Sequence, residues 1–340
     1  RVIIGLDRAP DTWVRMHPEV RSDPIGYEEL CMRNASFATA AKAIWPEAHV
    51  SGFSGSGFLA LWNLANAPDE AGKGLFVDYY LDCMRQASEA AGQRVLDVLD
   101  FHWRPEGKVN QVDIASDTAE ANDEAVASQR VQAPRSLWDD RYVENSFIVS
   151  TFTQGPVRLF PWLRERIAQH FPGTRLAVSE WHFGGGGHIS GAIAVADALG
   201  IFGREGIAYA ALRHGPGPQD FALAGMQMFR NYDNRAGRFG DVSIEATTND
   251  IEGTSIYASL ETVARVHMVL VAINKRTEPV DVSILIDHTV RYGRADVWTL
   301  TQADGPMSRS QPAVPVVARN HLRYRLPARS VVVLVPRAVP

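Results

Sequence analysis

Apolar and polar positions along the first two-thirds of the chain switch repeatedly between a strand period and a helix period. Val2 to Leu6 is a short apolar run that ends at Asp7 and then meets Pro10. Tyr27 to Ile44 has helical spacing and stops before Pro46, after which His49 to Phe53 reads as a strand running into Gly52, Gly55 and Gly57. Phe76 to Ala91 is helical and closed by Gly92, and Val95 to Trp103 is an apolar strand ending before Pro105. Val157 to Phe171 is helical up to Pro172-Gly173, and Arg175 to Ser179 is a strand that delivers Glu180. Ile189 to Phe202 is again helical and Ile207 to Leu212 a strand. Between them, Lys108 to Ala133 holds few large apolar residues and reads as a polar surface excursion.

Strands alternating with helices imply parallel strands joined by crossovers. Four such strands are counted before about Gly215, half of an eight-stranded barrel, with a small doubly wound sheet as the alternative. In either fold, working residues lie at the carboxyl ends of the strands. Asp7, the glycines after Phe53, His102-Trp103, Glu180 and Arg213-His214 all fall there. After Gly240 the period changes. Thr254 to Leu260, His267 to Ile273, Val280 to Ile286, Ala295 to Leu300, Leu322 to Leu326 and Ser330 to Val335 are short strands separated by turns, the pattern of a β-sandwich. The expected organisation is an α/β domain over residues 1–235, a partial (β/α)8 barrel, and an all-β sandwich over 236–340.

Composition adds little and excludes something. With 46% hydrophobic and 21% charged residues in 340, the chain can build a large core without staples. A net charge of -5 gives no electrostatic reason to expect nucleic acid or an anionic membrane as partner. No run of about 18 apolar residues is present to span a membrane. Cys31 and Cys83 sit inside helical patterns and read first as two buried free thiols, with a disulfide as the alternative. The chain starts at Arg1, directly in an apolar strand, so further strands are expected before it.

The chemistry concentrates at Glu180-Trp181-His182-Phe183, followed by Gly184 to Gly187 and His188. A carboxylate leaving a buried strand needs partners or carries a large desolvation cost. Glycines beside it let substrate or backbone approach. Glu180 therefore reads as a nucleophile or acid/base, against the blander possibility of a carboxylate paired with an arginine. The glycines lack both phosphate-loop and dinucleotide spacing, and His182 with His188 lacks a third metal ligand, so neither cofactor nor metal is expected. Gly55-Ser56-Gly57 does not make a nucleophile elbow. His102 and Trp103 suit a carboxylate-holding imidazole and a sugar-stacking indole, or strand-end packing. Trp13, Trp62 and Trp138 read as packing more than platform, Tyr79 and Tyr80 as core, and Glu144 as a surface charge.

These residues resemble glycoside hydrolase family 44, the endoglucanase and xyloglucanase family. The resemblance runs through Val95 to Trp103, Ser179-Glu180 with Gly184 to Gly187, His188-Ile189-Ser190-Gly191, Ala196 to Gly206, and Phe239-Gly240-Asp241. It covers essentially the whole chain in order and spacing. It implies the C-terminal half of a TIM-like barrel, starting at about strand four, followed by a β-sandwich. It also implies a retaining mechanism on β-1,4-glucan of the cellulose or xyloglucan type, a secreted protein, and a monomer. Glu180 matches the nucleophile at the end of the seventh strand. Arg8, His102, Trp103, Trp181 and Arg213 fall at substrate-binding positions.

Two departures lie on the catalytic face. The family's Leu-Asp-Asn-Glu-Pro reads here Leu6-Asp7-Arg8-Ala9-Pro10, so Ala9 stands at the acid/base position and Arg8 replaces the asparagine. Arg213 stands where the family typically has a tryptophan. One reading is a β-glucan hydrolase whose proton comes from another carboxylate, such as Asp7 or Asp11. The other is a catalytically impaired relative that binds glycan through the same cleft.

Overall fold

The computed structural model describes residues 2–6, 8–263 and 265–339, with only the backbone described at 319. Asp7 lies outside the described residues. In chain order the principal elements begin with β1 (Ile3–Gly5), α1 (Trp13–Met16), α2 (Tyr27–Ile44), β2 (His49–Gly55), α3 (Phe58–Asn63) and α4 (Phe76–Ala91). They continue with β3 (Val98–Trp103), β4 (Lys108–Val109), β5 (Val112–Asp113), α5 (Glu124–Arg130), α6 (Leu159–His170), β6 (Arg175–Trp181), α7 (Ile189–Arg204), β7 (Ala210–Leu212) and α8 (Asp220–Arg230). Then follow β8 (Val242–Ile244), β9 (Thr254–Leu260), β10 (Met268–Asn274), β11 (Val280–Leu285), β12 (Tyr292–Thr301), β13 (Arg309–Val317), β14 (His321–Leu326) and β15 (Ser330–Ala338). Two compact units are distinguished, one of residues 1–104, 157–182 and 206–213, the other of 105–156, 183–205 and 214–340.

In the first unit, five parallel strands lie in the order β1-β2-β3-β6-β7. All five segments read as strands from the sequence are present, Ala210–Leu212 pairing with β6, so the count of four was one too few. The order never reverses, so there is no topological switch point, and the doubly wound alternative is excluded. Each strand is laid beside its predecessor, as in a barrel. The helices obey their apolar stripes: α4 buries Phe76, Val77, Tyr80, Leu81, Met84 and Ser88. It ends at Gly92, whose φ of 64° closes a left-handed cap. The start of α2 is capped from a distance, the Asp69 carboxylate accepting from Tyr27 N and Glu28 N. At the opposite end of the sheet from Glu180, Lys42 Nζ donates to Ala48 O at 2.7 Å and pairs with Asp97 at 2.8 Å.

The cysteines are not free thiols. Cys31 of α2 and Cys83 of α4 form a disulfide, with Cα atoms 6.1 Å apart. Their helices pack on one another, as Tyr80 donating to Asn34 at 2.8 Å shows, so two apolar-looking positions face each other.

The second unit centres on an eight-stranded antiparallel sheet, ordered β11-β14-β13-β12-β15-β10-β9-β8. β13 leaves its ladder with β12 and continues into one with β14, so the sheet folds over on itself. Met268, Leu270, Val297, Leu322, Leu326 and Leu334 meet in the resulting core. β11 is half-buried and alternates along its length. β10 is buried throughout and β15 nearly so, as continuous apolar runs require, because α7 and α8 lie against the other face. Sequence reading missed β8 and β13. β13 carries Pro312 and Pro315, which demote a strand, yet Pro312 falls where the register with β12 slips and no ladder donor is needed. The helix α7 is fixed to the sheet by a buried set: Lys275 pairs with Asp197 at 2.8 Å and Tyr257 donates to it at 2.6 Å. Gly200 is required there, since a Cβ would meet the Tyr257 ring at 2.3 Å.

The stretch read as a surface excursion is packed instead. Ala121, Val126, Ala127, Val131 and Ala133 are buried, and Arg130 is fully buried. Arg130 can be polar and internal because it donates to Ile114 O, Ala121 O, Ser116 O and Ser190 Oγ. Few large side chains are needed where one guanidinium ties four acceptors.

The disulfide closes a separation of 52 residues, which restricts the unfolded chain. Replacing both cysteines by serine is expected to lower unfolding free energy by roughly 2–4 kcal/mol in urea titration. A change under about 0.5 kcal/mol would show that α2 and α4 hold together without it.

Candidate functional site

The site lies at the carboxyl ends of β1, β3, β6 and β7, within the first unit. The parallel register pairs His102 with Glu180 and Trp103 with Trp181, after a shift that follows Phe101. The same strand end therefore exposes the Glu180 carboxylate, 19% accessible, while its neighbour Trp181 turns inward. Two guanidinium groups engage Glu180. Arg8, just past β1, donates from Nη2 to Oε2 at 2.8 Å. Arg213, just past β7, places Nε 3.2 Å from Oε1. Arg213 N also donates to Trp181 O at 2.8 Å, which fixes its backbone one residue from Glu180.

β1 and β6 are three places apart in the sheet. In a flat sheet their backbones would be about 14 Å apart, from a spacing of about 4.8 Å per strand. The sheet curls, and Arg8, lying past the end of β1, reaches the Glu180 carboxylate with its long side chain.

Ala9 follows Arg8 in a left-handed conformation, φ 46° and ψ 57°. The backbone is held there: Ala9 N donates to Ser54 O at 2.7 Å, and Ala9 O accepts from Thr12 N and Thr12 Oγ1. A non-glycine residue in this region costs about 1 kcal/mol or more, a strain kept where surrounding contacts over-determine it. No proton donor is carried at this position. Asp11 is committed elsewhere, accepting from Ser56 N at 3.0 Å and from Ser56 Oγ.

Beneath the surface, Asp100 of β3 accepts from Ser54 Oγ at 2.7 Å and Ser179 N at 2.9 Å. Burial pushes its carboxyl up, against those two hydrogen bonds. It positions the backbone immediately before Glu180. A carboxylate in mid-strand, in the run Leu99-Asp100-Phe101, was the sequence signal for this residue, and motif reading passed over it. His102 is buried too, and burial lowers its pKa from the ordinary 6.5 although Glu180 and Asp100 pull it upward. The imidazole is neutral at pH 7, and Arg8 adds to that tendency.

Other residues named from the sequence fall differently. Trp103 and Trp181 are 2% and 1% exposed, so neither offers a ring face to a sugar in this structure. For Trp103 this favours the packing alternative, and Trp181, expected at a substrate-binding position, is packed as well. Trp62 packs with Phe58 and Trp162 in a cluster of three mutually contacting rings, and Tyr80 is core, as read. Arg204 lies over the Trp138 ring at 4.1 Å. In the second unit, the four glycines admit backbone and side chains of the protein itself. A Cβ at Gly184 would meet Ala115 carbonyl carbon at 2.2 Å, one at Gly185 Arg130 at 2.4 Å, and one at Gly186 Pro218 O at 2.4 Å. His188 caps α7, accepting from Ser190 N. Among the described residues no group of His, Cys, Asp and Glu is disposed to hold a metal ion. Glu144 is not a surface charge: it is 3% exposed, accepts from Ser136 Oγ at 2.5 Å, and burial pushes its carboxyl up.

A curled parallel sheet with its carboxylate at a strand's carboxyl end, in a chain that continues into an antiparallel β domain, defines a (β/α)-barrel protein with a β-sandwich. Residues 2–107 match the model of glycoside hydrolase family 44. The chain is 35% identical over 339 residues to endoglucanase A of Paenibacillus lautus, covering 98% of this chain and 48% of that protein. Beta-mannanase/endoglucanase A of Caldicellulosiruptor saccharolyticus is 34% identical over 309 residues, 86% of this chain and 23% of that one. A family 44 endoglucanase from Clostridium acetobutylicum, solved by crystallography, superposes with a TM-score of 0.93 at 31% identity over 98% of this chain and 66% of that one. A Paenibacillus polymyxa xyloglucanase solved with xyloglucan gives 0.93 at 32% identity, over 100% and 66%. The chain belongs to glycoside hydrolase family 44, and it spans about half or less of the length of the two full-length relatives.

The His102 environment gives a pH prediction. Glu180 favours the imidazolium, so Glu180→Gln removes that support and is expected to lower the His102 pKa further. Following the ring nitrogens by NMR titration checks the sign. A His102 midpoint above 6.5 in the unaltered protein, or an upward movement in the variant, would contradict it.

Proposed function

We infer that the protein acts on β-1,4-linked glucans of the cellulose or xyloglucan type, with Glu180 as nucleophile of a retaining mechanism and Ala9 at the acid/base position. The observation that carries this is the Arg8–Glu180 contact at 2.8 Å, which ties the residue before Ala9 to the Glu180 carboxylate. Retention needs two carboxyl groups about 5–5.5 Å apart. Here one of the two is a methyl group.

The first step would form a bond from a Glu180 oxygen to the anomeric carbon while the glycosidic C–O bond breaks. Both electrons of that bond go to the leaving oxygen, which for a sugar leaving group then needs a proton. Ala9 has none to give. Positioned acid/base help is typically worth about 10² to 10⁴ in rate, so polymer cleavage should be slow by that order. Arg8, by a hydrogen bond, and Arg213, by an ion pair, also hold the attacking carboxylate and must yield some of that contact as it attacks. Asp11, considered as a replacement donor, has both oxygens engaged with Ser56. These three features favour a second reading, a relative that binds glycan without turning it over. The Cys31–Cys83 disulfide supports an oxidising, extracellular setting, where such a polymer is met.

An aryl cellobioside leaves without protonation and separates the two readings. The complete protein is expected to turn over the aryl glycoside weakly and to accelerate with azide, a small anion able to occupy the space at Ala9. Ala9→Glu should restore part of the activity on soluble β-glucan. Fast polymer hydrolysis unaffected by Ala9→Glu would overturn the assignment of position 9. No turnover of any substrate, even with Ala9→Glu, would favour the binding reading.

A further inference from the structure

We propose that Arg213 makes this cleft a receptor for a glycan carrying a carboxylate, a uronic-acid residue bound beside Glu180. The proposal rests on the reading of the cleft as a glycan site and deepens it. Arg213 is anchored by its backbone to Trp181 O and oriented by its Nε on Glu180 Oε1. The guanidinium is planar and has two edges suited to bidentate pairing. Glu180 takes the Nε side. The opposite edge, Nη1 and Nη2, donates to no described residue, and the side chain is 50% exposed. An edge of that kind, held in place at its base, matches the two oxygens of a carboxylate far better than a single sugar hydroxyl.

The Arg213 guanidinium meets Glu180 through its Nε side, which leaves the half-exposed Nη edge facing outward for a carboxylate. Trp103 and Trp181, the aromatic residues nearest to Glu180 in the strands, are buried and present no stacking surface for a neutral ring. At Arg213, recognition is by charge-assisted hydrogen bonds.

Calorimetric titration of the protein with two β-linked oligosaccharides of equal length, one neutral and one bearing a single glucuronic acid, tests this. Free glucuronate is a third arm. The acidic oligosaccharide is expected to bind about tenfold more tightly or better, as a charged bidentate pair implies. The preference should shrink as salt is raised, because half-exposed charges are screened. Arg213→Trp should abolish the preference, and Arg213→Lys should keep part of it, since it retains charge without the fork. Equal binding of both oligosaccharides, or a preference that survives Arg213→Trp, overturns the proposal and leaves the glycan reading standing. Binding of neither oligosaccharide overturns both. Free glucuronate binding as tightly as the acidic oligosaccharide would reduce the site to a simple anion site and overturn the glycan part.

Discussion

The ion pair between Arg8 and Glu180 joins the ends of two strands that are not neighbours in the sheet, and the site depends on the curl that makes this possible. Parallel strands twist, and an order that never reverses carries that twist in one direction. Residues at the carboxyl ends of β1 and of the paired strands β6 and β7 then converge although β1 shares no ladder with either. The opposite end of the sheet is held by Lys42 and Asp97, with no catalytic groups among them. Stability and chemistry are thus placed at different ends of the same strands.

Much of this was legible in the sequence because period and punctuation agree. The strand ending in Glu180, the helix closed by Gly92 and the change of period after Gly240 each had a local cause that the fold respects. Beside the segments that end in Trp103 and Glu180, the family resemblance rested on motifs that the structure places at turns and packed helices. Gly184, Gly185 and Gly200, for instance, are fixed by Ala115, Arg130 and Tyr257. Such positions persist because a Cβ has nowhere to go, which is independent of whether the site turns over substrate.

What was not legible has a common origin. The disulfide requires knowing that Cys31 and Cys83 face one another across two helices, and spacing within each helix does not say so. The polar excursion looked exposed because its interior is organised by one arginine and backbone carbonyls instead of large apolar side chains. β13 was hidden by two prolines, of which Pro312 falls where the partner ladder slips. The indoles of Trp103 and Trp181 were read from their place at strand ends, where exposure is decided by the pleat and by what covers it. In each case a non-local contact decided the outcome.

The central claim is that Glu180 carries the nucleophilic carboxylate, and the most direct measurement is to trap it. A 2-deoxy-2-fluoro cellobioside with an activated aryl leaving group forms a glycosyl-enzyme that hydrolyses slowly, because the fluorine disfavours the oxocarbenium-like transition state. Incubation with the protein, proteolysis and mass spectrometry should find one disaccharide attached to the peptide containing Glu180, and none in Glu180→Gln. A label on another carboxylate, or aryl-glycoside turnover undiminished in Glu180→Gln, would contradict the account.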